Sequence, residues 1–80
     1  MVRKKFQMEE LERPGLNIVR VRWMKTDGTR SMETGWSKWM PESGMEMTSR
    51  KGHLLIFQNV DVNSSHSGLD IRVDAFLSEE

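Results

Sequence analysis

Arg20, Arg22 and Lys25 sit close together in "RVRWMK", and Trp39 follows in "GWSKWM". Cations beside an outward indole can do two kinds of work. They can hold single-stranded nucleic acid, the ring stacking on a base for about 1–3 kcal/mol while the cations track the phosphates. They suit a protein interface equally well, because Trp is enriched at hot spots and methionine adapts its shape. The chain carries 7 methionines and a formal net charge of zero. Its pI of 6.7 speaks against nucleic acid, whose binding domains usually lie above about 9. The residues therefore predict a non-enzymatic protein-binding or assembly module, with copies of itself among the partners. A single-stranded nucleic-acid-binding module is the alternative. Arg20, Arg22, Lys25 and Trp39 are the predicted binding residues for either.

"DVNSSHS", from Asp61, offers Ser, His and Asp together. A nucleophilic triad is assembled by the fold from separated elements, with an oxyanion hole beside it; neighbours in one polar stretch do not meet that requirement. Asp61, Asn63 and Ser65 also imitate the first ligands of a calcium loop. Such a loop needs Gly at its sixth position and a bidentate Glu at its twelfth, and these positions hold His66 and Arg72. Asn63-Ser64-Ser65 is a formal glycosylation sequon, meaningful only in a secreted chain. Phosphate-binding glycine fingerprints are missing, and His53 and His66 lack a partner at ligand spacing. No catalytic residue, cofactor or metal is predicted.

These residues must be positioned by 80 residues, one small domain that buries roughly 60–65% of its unfolded surface. A thin two-layer sheet or small barrel fits that limit. Cysteine is absent, so neither disulfides nor thiolate metal sites supplement the core. The longest apolar run, "LLIF", falls far short of the roughly 20 residues that span a bilayer, so no membrane segment is expected. The basic opening "MVRKKF" is not followed by the apolar stretch of a secretory signal, and a cytoplasmic location is expected. Charge is uneven along the chain. Residues 1–30 carry eight basic against four acidic groups, and from residue 54 onward Arg72 alone opposes five acidic ones. Solvated faces explain this simply; head-to-tail self-association is the sharper reading.

Pro14-Gly15 separates the opening segment, which is open to two readings: Val2, Phe6 and Met8 share a parity that favours a strand, while "MEELER" carries good helix formers. In "LNIVRVRWMK" alternation sends Val19, Val21 and Trp23 inward and Ile18, Arg20, Arg22 and Met24 outward. Asp27-Gly28 then signals a two-residue type I′ hairpin loop. That register sets Trp23 against Met32, Val21 against Thr34, Val19 against Trp36 and Arg22 against Glu33. "GWSKWM" is too short between Gly35 and Pro41 for a helix, so it continues the second strand. Positions three apart then face opposite ways, with Trp36 inward and Trp39 outward beside the charged face.

"PESG" is a turn, and Arg50-Lys51-Gly52 is a three-residue hairpin loop. It pairs Met45 with Phe57, Glu46 with Ile56, Met47 with Leu55 and Thr48 with Leu54. Residues 61–68 read as a polar loop. "LDIRVDAFL" alternates with Leu69, Ile71, Val73, Ala75 and Leu77 inward. The predicted fold is all-β: a small antiparallel meander of five to six strands, forming a barrel-like or two-layer sheet.

"RWMKTDGT", "GHLLIFQNV" and a later "SG" resemble the core-tryptophan strand and the Leu-x-Ile-x-x-Val run of an immunoglobulin-like domain, through Trp23, Leu55, Phe57, Val60 and Gly68. The resemblance covers residues 22–75. It implies a two-sheet sandwich without its disulfide, and adhesion or receptor binding as a role. Asp70 and Arg72 stand where such a domain has its tyrosine and second cysteine.

Overall fold

The alternation in "NIVRVRWM" becomes strand β1 (Asn17–Met24) in the computed structural model, which describes residues 4–66 and 68–78. It is followed by β2 (Arg30–Ser37), β3 (Glu46–Thr48), β4 (Leu54–Ser65) and β5 (Gly68–Leu77). All five strands form one sheet in the order β2-β1-β5-β4-β3. The fold is all-β, as expected, and the sheet curls into a half-barrel. Two features depart from a meander: β1 lies parallel to β5, and β2 and β3 are the two ends of the sheet, not neighbours. The single curled sheet also replaces the two facing sheets of the immunoglobulin-like alternative.

The inner face carries the core. Val19, Val21 and Trp23 of β1 meet Ile71, Val73 and Ala75 of β5, Leu55 and Phe57 of β4, and Met47 of β3. Full burial of an aliphatic or Phe side chain contributes about 1.5–3 kcal/mol, so this layer supplies most of the cohesion available to a chain this short. Phe6 seals the open side, its ring 5.4 Å from that of Phe57.

Phe6 belongs to the extended opening segment, which bridges the two ends of the sheet. It bonds β3 through Glu46 N–H to Lys4 O (2.8 Å) and Phe6 N–H to Glu46 O (2.7 Å). It bonds β2 through reciprocal Glu9 and Trp36 hydrogen bonds of 2.7 and 3.0 Å. The parity expected for Phe6 and Met8 holds, since Phe6 is buried and Met8 packs against the core; Val2 lies outside the described residues. Arg50 closes the same seam. Its backbone N–H donates to Glu33 Oε1 (2.9 Å) and its guanidinium to Thr34 O (2.7 Å).

The first hairpin differs from expectation by one residue. Arg22 faces Met32, Val21 faces Glu33, Val19 faces Gly35 and Ile18 faces Trp36. Lys25 N–H bonds Thr29 O and Gly28 N–H bonds Lys25 O, so the loop has three residues, with φ +88° at Gly28 and no positive φ at Asp27. Asp27 favours this form because its carboxylate accepts from both the N–H and the hydroxyl of Thr29. Those bonds hold its pKa below the usual carboxylate value. A one-residue change of register flips every side chain of the strand, so Trp36 moves to the outer face and Gly35 to the inner one. The Arg22–Glu33 pair is lost with it. The glycine conformation is still required, and Gly28→Val should destabilise the fold by about 1–2 kcal/mol in urea titration. Gly28→Asn, which tolerates that conformation better, should cost less.

The second hairpin has the expected loop and register, with Gly52 at φ +95°. In the stretch 61–68, expected to be a polar loop, residues 61–65 instead extend β4 and Gly68 begins β5. Asp61 pairs with Arg72, Asn63 with Asp70 and Ser65 with Gly68. A bulge between Phe57 and Asn59 brings Val60 and Val62 onto the face that carries Val73 and Ile71. The alternation predicted for β5 is observed, with Ile71, Val73 and Ala75 buried and Arg72 and Phe76 exposed.

Candidate functional site

The outer face of β1 presents Arg20 and Arg22, as their parity requires. In parallel register, β5 sets Asp70, Arg72 and Asp74 beside them. Arg20 donates to Asp70 Oδ1 at 2.6 Å, and Arg22 Nε donates to Asp74 Oδ1. The Asp74 hydrogen bond and its charge push the Arg22 pKa upward, stabilising the charged guanidinium. The Arg22–Asp74 pair is exposed and contributes about 0–1 kcal/mol, while Arg20–Asp70 is half-buried; the main consequence of both is electrostatic. The basic early part of the chain and its acidic late part meet inside one sheet, and these two pairs offset part of the charge imbalance along the sequence. The cations expected to attract phosphate already face carboxylates.

Lys25 is exposed at the loop end of the β1–β2 hairpin. Trp39 lies beyond the opposite end, past the Asn17–Ser37 pair. A strand rises about 3.3 Å per residue, so the eight residues from Lys25 back to Asn17 alone put roughly 25 Å between these two members of the predicted site. The aromatic ring on the outer face near Arg20 is the half-buried Trp36, opposite Ile18. Arg20 and Arg22 thus share a face, whereas Lys25 and Trp39 stand apart from it and from each other.

Trp39 is outward, as expected, but for a different reason. The buried Ser37 hydroxyl accepts from the Trp39 N–H at 3.0 Å, a side-chain turn that ends β2 and redirects the chain. The indole is left 63% exposed, with the neighbouring Met40 at 41%. Both line a cleft of about 500 Å³ beside the opening segment, together with Phe6 and Met45. Lys4, Lys5 and Glu42 supply its charges, and Lys38 Nζ lies 5.1 Å from the Trp39 ring centre. The cleft thus mixes the apolar side chains of Trp39, Met40 and Met45 with two ammonium groups, a carboxylate and the Gln7 amide. Sequence reasoning found Trp39 and missed Lys4, Lys5 and Met40, because the strand pairing that brings the opening segment beside residues 39–45 is non-local.

In "DVNSSHS", Asp61 to Ser65 are strung along β4 and, like His66 after them, are exposed; Ser67 lies outside the described residues. Ser65 Oγ donates to the Gly68 carbonyl at 2.8 Å and Asp61 is the register partner of Arg72, an arrangement that does not align a nucleophile with a base. Among the described residues, no group of three His, Cys, Asp or Glu side chains is placed to hold a metal ion, and no helix is long and apolar enough to cross a membrane. No protein-family model, curated protein or solved structure matches the chain.

Proposed function

We propose that this chain is a non-enzymatic protein-binding module that takes an extended, acidic and apolar segment of a partner protein into the cleft around Trp39. One observation carries the reading: a large indole stands mostly exposed, held by a turn that starts from a buried serine, at the edge of this cleft. Truncating such an exposed aromatic costs the fold little. A partner that desolvates it gains the contact area on which interface hot spots depend. Met40 and Met45 give the floor adaptable side chains, and Lys4, Lys5 and Lys38 favour carboxylates nearby. The lack of cysteine suits an intracellular setting.

The single-strand alternative draws on the row of Arg20 and Arg22. Their ion pairs with Asp70 and Asp74 reduce its attraction for phosphate, and the separation of Lys25 from Trp39 prevents both from gripping one nucleotide.

Selection from a displayed library of linear peptides tests the proposal, with Trp39→Ala as the counter-screen. Recovered peptides should carry acidic residues beside bulky apolar ones, and should bind Trp39→Ala at least about tenfold more weakly, the loss of roughly 1.4 kcal/mol expected when a hot-spot ring is truncated. Lys4→Glu with Lys5→Glu should weaken them as well. Peptides that bind Trp39→Ala as well as wild type would overturn the reading. So would an oligonucleotide that binds at physiological salt with a steep salt dependence.

A further inference from the structure

The half-barrel protects two of its edges and leaves a third open. The opening segment and Arg50 cover the ends of the sheet at β3 and β2. β4 is longer than its neighbour: β3 pairs only with Leu54, Leu55 and Ile56, and the turn before it reaches as far as Phe57 and Gln58 through Gly44 and Ser43. From residue 59 to residue 65, nothing among the described residues pairs with the other side of β4.

The direction of the backbone along this edge follows from both of its ends. Ser65 and Gly68 are register partners only three positions apart in sequence, and antiparallel partners at that spacing exchange backbone hydrogen bonds. Counting back by twos, Asn63, Asp61 and Asn59 turn toward β5. Val60, Val62 and Ser64 therefore turn their N–H and C=O groups away from it. At the other end, Phe57 bonds Met45 and Gly44 on the β3 side, and the one-residue bulge that follows again leaves Val60 facing outward. The open row is a template for another strand, and the usual protections are missing from it. Residues 59–65 contain no Lys and no Pro, and Asp61 is their single charge.

The edge is also complementary to itself. An antiparallel pairing centred on Val62 sets Val62 against Val62, Val60 against Ser64, Asp61 against Asn63 and Asn59 against Ser65 of a second copy. That register forms about six backbone hydrogen bonds and contains no like-charge pair; centring on Asp61 would oppose two carboxylates. Val62, 43% exposed in the single chain, would be covered by its own counterpart.

We propose that a second copy of this chain adds to the free edge of β4 about a two-fold axis through Val62, joining two five-stranded sheets into one. The inference shares with the proposed function only the premise that the chain binds protein, and it uses a different surface.

Sedimentation equilibrium should give wild type a dimer mass that falls to that of a monomer on dilution. Val62→Pro removes an N–H that points to the open edge and spares the β4–β5 ladder, so it should weaken dimerisation at least tenfold with an unchanged circular dichroism spectrum. If proline disturbs the fold, Val62→Lys on the same edge replaces it. The native chain has no cysteine, so Val62→Cys gives a single thiol facing its own copy across about 5.5 Å between α-carbons, within disulfide reach. Mild oxidation should link it into dimers far faster than Lys51→Cys in the β3–β4 loop. A monomeric wild type at every concentration overturns the inference, as does cross-linking of Val62→Cys no faster than Lys51→Cys. A dimer that survives both Val62 changes but dissociates in Trp39→Ala also overturns it, while leaving a protein-binding role for Trp39.

Discussion

Phe57→Ala should cost about 3–5 kcal/mol, a large share of the roughly 4–12 kcal/mol of stability expected for a chain of this length. Phe57 is among the largest fully buried side chains, and its ring packs on Phe6, so its removal opens a cavity and loosens the segment that closes the half-barrel. Trp36→Ala is the informative comparison. Trp36 has the larger side chain but lies half-buried on the outer face, where truncation should cost about 1–2 kcal/mol. Urea titration of the two variants tests the hairpin register: equal losses would put Trp36 back in the core and contradict the pairing of Ile18 with Trp36.

Gly35→Val is the second large effect expected. A β-carbon at Gly35 would lie 2.8 Å from Met8 Cβ and 3.1 Å from the Glu9 carbonyl oxygen. The first contact is with the base of a side chain and the second with backbone, so a rotamer change relieves neither. The crossing segment must move away, straining or breaking the reciprocal Glu9–Trp36 bonds. Overpacking of this kind costs about 1–3 kcal/mol, and valine should reach the upper end. Hydrogen exchange at the Trp36 amide should accelerate in step. Normal protection in Gly35→Val would show that the segment does not cross there.

The same glycine explains why one hairpin was legible in the sequence and the other was only half so. Asp-Gly fits both a two-residue loop with positive φ at each position and a three-residue loop ending in a left-handed glycine. Local chemistry leaves that choice open. The bonds from Asp27 to Thr29 favour the longer loop, and the approach of Met8 to Gly35 requires an inward position without a side chain. Neither constraint can be read from alternation alone. In the second hairpin, Arg50-Lys51-Gly52 left one good loop length, and the register followed.

Other departures have the same non-local origin. Residues 61–65 are polar enough to read as a loop, yet the apolar alternation of β5 supplies a ladder for them, and the bulge after Phe57 restores their phase. The parallel pairing of β1 with β5 could not be inferred from neighbouring turns. Once formed, it accounts for the opposed charge of the two parts of the sequence through the Arg20–Asp70 and Arg22–Asp74 pairs. Arg20 and Arg22 were legible as a row by parity, and Trp39 as an outward ring. Their separation was not, because it depends on the turn at Ser37 and on the path of the opening segment.

The three tryptophans give the most direct test of the proposed site. Trp23 is buried, Trp36 is half-buried on the sheet face and Trp39 stands in the cleft, so the indole N–H signals in a ¹⁵N-correlated NMR spectrum report on three places at once. On titration with an acidic, apolar peptide recovered by the display selection, the Trp39 signal should move progressively to saturation, with those of Trp23 and Trp36 nearly still. A short single-stranded oligonucleotide at physiological salt should move none of them. A silent Trp39 signal with bound peptide, or an oligonucleotide that shifts Trp36 together with the amides of Arg20 and Arg22, would contradict the account and return the function to the sheet face.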